Sequence, residues 1–126
     1  MSLEQFKAPE QFKASVQQQG TVAIIDLYGD LDDFAETALN TAYRQATDQE
    51  AQVILLDFRQ VDYINSTGIV LLVELLTQAR KTQHRMLACG LDEHYQEIFR
   101  IAHLPDFMAI FPDVASALSQ FKDLKR

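Results

Sequence analysis

Buried strands are the first elements that the hydrophobic pattern indicates. Val53 to Phe58 (V-I-L-L-D-F) is a continuous apolar run with β-branched residues, which is typical of a central strand covered on both faces. Loosely alternating residues before a Gln19-Gly20 turn predict a hairpin with the apolar run that follows. The pattern therefore predicts strands at 12–18, Thr21–Tyr28, Val53–Phe58, Arg85–Leu91 and Met108–Phe111.

Segments with apolar residues at helical spacing alternate with these strands. The run Gly29 to Asp32 is expected to end the second strand and to cap the first helix with its carboxylates. The predicted helices run from Phe34 to about Thr47, from about Thr67 to Thr82, from an Asp92 cap to about His103, and onward from an Asp113 cap. Strands that alternate with helices predict an α/β domain with a mixed, mostly parallel sheet, an N-terminal hairpin and about four helices.

The second predicted helix is apolar on more than one face. Its start, I-V-L-L-V-E-L-L, contains one charged residue in eight. A helix on one face of a sheet needs a single apolar stripe, which we expect from Ile69, Leu72, Val73 and Leu76. Three further residues are then surplus: Val70, Leu71 and Leu75. Either neighbouring helices bury them, or they form an exposed patch for a partner.

Length and charge narrow the class of protein. A chain of 126 residues predicts one domain, which we place at 12–126 after an N-terminal extension at 1–11. The net charge of −7, with no strong basic cluster, argues against a nucleic-acid surface. The apolar run 69–76 is too short to cross a bilayer, and the first residues do not resemble a signal peptide. We therefore expect a cytoplasmic protein without membrane insertion.

Signals for catalysis and cofactors are weak. Cys89, the sole cysteine, lies in an apolar run and is expected to be buried and inert. The three histidines are scattered, and no glycine-rich nucleotide-binding loop is present, so we expect no metal and no cofactor. A serine hydrolase using Ser66 would need the G-x-S-x-G elbow, which is missing. The sequence thus predicts a protein that is not an enzyme.

The stretch Asn65-Ser66-Thr67-Gly68 interrupts the apolar passage in the middle of the chain. Asn65 or Ser66 stands where a helix N-cap belongs, and a cap alone would explain either residue. A second hydroxyl and a glycine in the first turn make the backbone approachable and favour an additional role.

In context, this stretch resembles a known motif. The pattern V-I-L-L-D-F-x-x-V-x-Y-I-N-S-T-G-I closely resembles the phosphorylation-site motif of the STAS domain in bacterial anti-sigma factor antagonists. Gly29-Asp30-Leu31-Asp32, M-L-A-C-G-L and the segment I-F-R-I-A-H-L-P-D-F-M-A-I-F-P-D are similar to other parts of that family, in the family's order. The resemblance covers about Phe12 to Phe121.

The resemblance implies a regulatory protein that acts by partner switching. A serine kinase that is also an anti-sigma factor would phosphorylate Ser66, and a serine phosphatase would remove the phosphate. Asp32 falls at the family's aspartate beside the phosphorylation site. The expected partner-binding residues are Asp30, Asp32, Asn65, Ser66, Thr67, Gly68, Val70 and Leu71. The oligomeric state is left open.

One residue departs from the family pattern. Asn65 stands where the family commonly has aspartate, so the cap is kept but a charge beside the acceptor hydroxyl is removed. The family also allows an alternative function, in which the domain is a non-phosphorylated scaffold or a soluble subunit of a transport assembly.

Overall fold

The protein is described by a computed structural model that covers residues 11–124. The predicted extension 1–11 therefore lies almost wholly outside the described residues, as do the last two residues of the predicted domain. Strands and helices alternate after an initial hairpin, in the order β1 (Lys13–Gln19), β2 (Val22–Leu31), α1 (Glu36–Asp48), β3 (Val53–Ile64), α2 (Ser66–Lys81), β4 (Arg85–Cys89), α3 (Glu93–Ile101), a 3-10 turn (Leu104–Asp106), β5 (Ala109–Phe111) and α4 (Val114–Leu124).

The strands form one sheet in the order β1-β2-β3-β4-β5. β1 pairs antiparallel with β2, and the other neighbours are parallel. The predicted α/β architecture, with its hairpin and four helices, is confirmed. The parallel register places Leu31 of β2 beside Ile64 of β3, so both strands end at the same edge of the sheet.

β2 and β3 are longer than the sequence predicts. The expected loop from Arg59 to Asn65 is strand as far as Ile64, and the expected strand end at Gly29 to Asp32 is strand as far as Leu31. The cause is mutual pairing: Tyr28 to Leu31 pairs with Gln60 to Ile64, with two irregularities in register. β4 pairs with β3 only as far as Asp57, so the two extensions project together beyond it.

The core has two parts, one on each face of the sheet. The larger cluster contains residues of α1, α2 and α3 packed on alternate residues of β2 and β3. The smaller cluster contains Ala117 of α4 against residues from β2, β3 and β4. β3 is therefore covered on both faces, as its continuous apolar run predicts.

The prediction for the apolar stripe of α2 is partly wrong. The buried residues of this helix are Gly68, Leu71, Leu72, Leu75, Leu76 and Ala79. Leu71 and Leu75 are thus part of the core and not surplus, whereas Val73, expected inside, is 43% exposed. Val70, at 53% exposed, does lie on the surface. The stripe is rotated relative to the prediction because Gly68 faces the sheet.

The start of α1 also differs from the prediction. The helix begins at Glu36, its N-cap residue Ala35 has no side-chain capping bond, and Phe34 is 91% exposed. Asp32 does accept a hydrogen bond, but from the backbone N–H of Phe34 (3.0 Å), which closes a local turn ahead of the helix. The carboxylates therefore shape a loop instead of capping a helix.

Cys89 is fully buried, as predicted. Burial, followed by the nearby charge of Asp57, raises the pKa of the thiol to about 12. None of the helices in residues 11–124 has the length and hydropathy needed to cross a membrane.

Candidate functional site

The predicted site lies where β2, β3 and the start of α2 meet. The backbone N–H of Asn65 donates to the carbonyl of Leu31 (3.2 Å), so the chain is still tied to β2 as it leaves β3. Ser66 is the first residue of α2. The site residues are thus held by two paired strands, and the side chains at the helix start are presented at the sheet edge.

Asn65 is the N-cap of α2. Its amide oxygen accepts a hydrogen bond from the backbone N–H of Gly68 (2.9 Å), while its amide nitrogen donates to Oδ1 of Asp33 (3.1 Å). Both ends of the amide therefore have partners. An aspartate at position 65 could keep the first bond, but it could not donate the second.

Asp33 is a site residue that the sequence analysis missed. Hydrogen bonding from the Thr67 side chain and then from Asn65 lowers the pKa of this exposed carboxyl. α2 has no acidic residue of its own in its first turn, so Asp33 supplies a negative charge near this N-terminus. Asp33 could not be identified from the sequence, because the sequence does not show that the loop after β2 reaches the start of α2.

The hydroxyl of Ser66 differs from the side chains of Asn65 and Thr67 because it makes no hydrogen bond within the described residues. Ser66 is exposed, and within residues 11–124 its side chain makes no hydrogen bond. Thr67 is also exposed, but its side chain interacts with Asp33. Of the two adjacent hydroxyls, that of Ser66 is the one available to a reagent or a partner.

Gly68 is buried, and its role is internal packing. A Cβ at this position would lie 2.2 Å from the carbonyl oxygen of Leu31 and 3.0 Å from Cγ2 of Ile64. The glycine thus lets the first turn of α2 approach the backbone of β2. Gly68 was expected to be among the partner-binding residues, but Leu31 and Ile64 of the same chain occupy the space beside it.

The predicted acidic residues surround this edge of the sheet. Asp30 lies near the end of β2 and pairs in register with Tyr63, while Asp62 is exposed on the same extension of β3. Asp32 lies in the following loop. These carboxylates make this edge of the sheet negative.

Apolar side chains are also exposed near the site. Val70 is on the second turn of α2, and Phe34 follows Asp33 in the loop that contacts Asn65. Leu71, predicted to contact a partner, is only 6% exposed and packs in the core. The exposed apolar surface at this end is therefore provided by Phe34, Val70 and Tyr63.

α3 supports the site from the side opposite to β2. The hydroxyl oxygen of Tyr95 accepts a hydrogen bond from the backbone N–H of Ile64 (3.0 Å), at the last residue of β3. This strand segment extends past β4, so the N–H lacks a strand partner there. Tyr95 thus fixes the residue that precedes the N-cap.

Comparison with known proteins places this geometry in a family. The profile of the STAS domain matches residues 13–117. The provisionally named anti-sigma factor antagonist BtrV of Bordetella bronchiseptica is 32% identical over 65 residues, which is 52% of this chain and 53% of BtrV. The alignment thus spans about half the length of that relative.

Solved structures share the fold at low sequence identity. A crystal structure of an anti-sigma factor antagonist from Mycobacterium paratuberculosis is 16% identical, with a TM-score of 0.78 over 91% of this chain and 97% of that one. The antagonist SpoIIAA in its unphosphorylated form is 17% identical, with a TM-score of 0.70 over 87% and 96% of the two chains. Bacillus SpoIIAA in its phosphorylated form is 18% identical, with a TM-score of 0.65 over 88% and 99%. This chain belongs to the STAS domain family, and it shares its fold with proteins named as anti-sigma factor antagonists.

Proposed function

We propose that this protein is a non-catalytic regulator of the anti-sigma factor antagonist type, which is controlled by phosphorylation of Ser66. Its partners are then a protein that combines serine kinase and anti-sigma factor activities, and a serine phosphatase that removes the phosphate. The unphosphorylated form binds the anti-sigma factor and releases the sigma factor. Phosphorylation ends that binding.

The observation that carries the proposal is the contrast between the hydroxyls of Ser66 and Thr67. Ser66 is exposed and unbonded at the first position of α2, whereas the Thr67 side chain interacts with Asp33. The neighbouring backbone is fixed by the cap of Asn65 and by the Tyr95 bond to Ile64. Of the two adjacent exposed hydroxyls, a kinase would thus meet one that makes no hydrogen bond, on a backbone that hydrogen bonds hold in place.

In the protein without a bound partner, the position of Ser66 is compatible with a phosphate. It adds a charge of about −1.5 to −2 beside a helix N-terminus, where negative charge is stabilised by the helix dipole. The fold therefore need not be lost on modification. Phosphorylated and unphosphorylated forms have both been solved for SpoIIAA, which has the same fold.

The same phosphate is unfavourable in an interface. A partner that covers Ser66 also covers the surroundings of Asp30, Asp32 and Asp62, so the added charge must be desolvated among like charges. A coupling free energy of about 1–3 kcal/mol, typical of regulatory effects, corresponds to about 5–150-fold in affinity. The expected partner surface is apolar at its centre, opposite Val70, and basic at its rim.

Mass spectrometry can test the acceptor assignment. The protein is incubated with ATP and its cognate serine kinase, and the modified residue is mapped. We expect one phosphate on Ser66, none on Ser66→Ala, and normal modification of Thr67→Val. Absence of phosphate on the wild-type protein with the cognate kinase, or phosphate on Thr67, would contradict the proposal.

A further inference from the structure

Asp33 reaches the two residues that flank Ser66. Its Oδ1 accepts a hydrogen bond from Nδ2 of Asn65 (3.1 Å), and its carboxylate also interacts with the Thr67 side chain. The exposed Ser66 hydroxyl lies between these two residues in the sequence. A charge added to Ser66 is therefore added between the two residues that contact the Asp33 carboxylate.

Asp33 also belongs to the loop that carries the most exposed aromatic side chain described in the chain. Phe34, the next residue, is 91% exposed. The other hydrogen bonds of this loop are local, from the N–H groups of Phe34 and Ala35 to Asp32. The contacts of Asp33 with Asn65 and Thr67 tie this part of the loop to the start of α2.

We propose that Asp33 senses the phosphorylation of Ser66, because the added phosphate displaces its carboxylate from Asn65 and Thr67 and so alters how the loop presents Phe34 to a partner. The inference rests on the proposed function at Ser66 and names the residue that transmits the modification. It adds a local rearrangement to the direct repulsion between phosphate and partner.

The chemistry favours this exchange. The phosphate brings three strong acceptor oxygens to the side chains that now donate to Asp33, and it repels the carboxylate. Asp33 is exposed, so it can turn into solvent without a desolvation penalty. Asn65 is the residue that makes the exchange possible, since its amide donates to either acceptor.

Phosphoserine placed at position 66 by genetic code expansion tests the proposal on the full chain without any kinase. The sequence has no tryptophan, so Phe34→Trp introduces a single tryptophan at an exposed position, which can be excited separately from the tyrosines. We expect the fluorescence anisotropy of that reporter to fall when residue 66 is phosphoserine. We also expect phosphorus NMR to place the second pKa of the phosphate about 0.5 unit higher than in a chain with Asp33→Asn, because a like charge disfavours the dianion.

Two matched variants separate charge from other effects. Asp33→Asn keeps an acceptor oxygen but removes the charge, so phosphoserine should leave the anisotropy nearly unchanged in that background. Glu36→Gln removes a nearby exposed charge in the first turn of α1 and should respond as the wild type does. An unchanged anisotropy in the wild-type background, or the same fall with Asp33→Asn, would overturn the sensing role. Because no kinase is used, either result is independent of whether Ser66 is the natural acceptor.

Discussion

The starts of α2 and α3 have the same type of N-cap hydrogen bond but differ in the charge of the capping residue. Asn65 accepts from the N–H of Gly68 at 2.9 Å, and Asp92 accepts from the N–H of Tyr95 at 2.8 Å. α3 carries its own negative charge in Asp92 and in Glu93. α2 has a neutral cap and depends on Asp33 from another loop.

The start of α3 has a structural role, whereas the electrostatic surroundings of the start of α2 can change. At α3, the third residue after the cap is Tyr95, whose hydroxyl braces β3. At α2, the corresponding residue is a buried glycine packed on Leu31, and the outward residue is an unbonded serine. A charge supplied from outside the helix can be displaced without breaking the cap, which suits a site that is modified.

The largest effect is expected from Gly68→Ala. The added Cβ would lie 2.2 Å from the Leu31 carbonyl oxygen, and backbone cannot easily yield, so the free energy of unfolding should fall by about 3 kcal/mol. Gly20→Ala is the control: nothing lies within 4 Å of its Cβ, and its positive φ should cost about 1 kcal/mol. Chemical denaturation measures both. Equal losses would mean that Gly68 is not held against β2.

Removing each cap should have a smaller effect on stability. Asn65→Ala and Asp92→Ala each leave a first-turn N–H without its side-chain acceptor, and each should destabilise the fold by about 1 kcal/mol. The helix starts are then equal in capping energy. A negligible loss with Asn65→Ala, measured by the same denaturation, would show that the α2 cap is dispensable.

A negative charge introduced at position 65 should further distinguish the start of α2 from that of α3. Asn65→Asp keeps the cap but places a second carboxylate against Asp33, so it should lower the free energy of unfolding at neutral pH by less than loss of the cap does. Asp33→Asn in the same chain should restore it, because an amide again faces a carboxylate. A double-mutant cycle measures this coupling. Additive effects of the two changes would contradict the contact.

The smallest expected effect is on the titration of Asp33. Its folded pKa lies below the ordinary 3.8, so its contribution to stability is present above that pH and is lost as pH falls through the folded pKa. The Thr67 side chain makes the largest contribution to the lowered pKa of Asp33, so Thr67→Val should raise this pKa more than Asn65→Ala does. Carboxyl NMR titration gives all three values. The reverse order would assign the main interaction to Asn65.

Local signals in the sequence were sufficient for much of the fold. Buried apolar runs and capping residues such as Asp92 act within a few positions, so the strands, the helices and the N-terminus of α3 could be predicted. The extension of β3 could not be, because half of the residues from Arg59 to Ile64 are polar and the segment becomes strand by pairing with β2. Ser66 was located through its motif, and its role remains a proposal.

Contacts across the fold account for the missed features of the site. Asp33 contacts Asn65 through a loop that the sequence places far from it, and the pair Asp32-Asp33 has no pattern that distinguishes one carboxylate from the other. The orientation of α2 depended on Gly68 facing β2, which moved Leu71 inward and Val73 outward. Hydrophobicity alone ranks these apolar residues alike.

Control of partner binding by phosphorylation is tested by calorimetry, which gives the affinity for the cognate kinase/anti-sigma factor with serine and with phosphoserine at position 66. We expect the phosphoserine form to bind about 5–150-fold more weakly, and Ser66→Ala to bind like the unmodified protein. Equal affinities of the serine and phosphoserine forms would contradict this expectation.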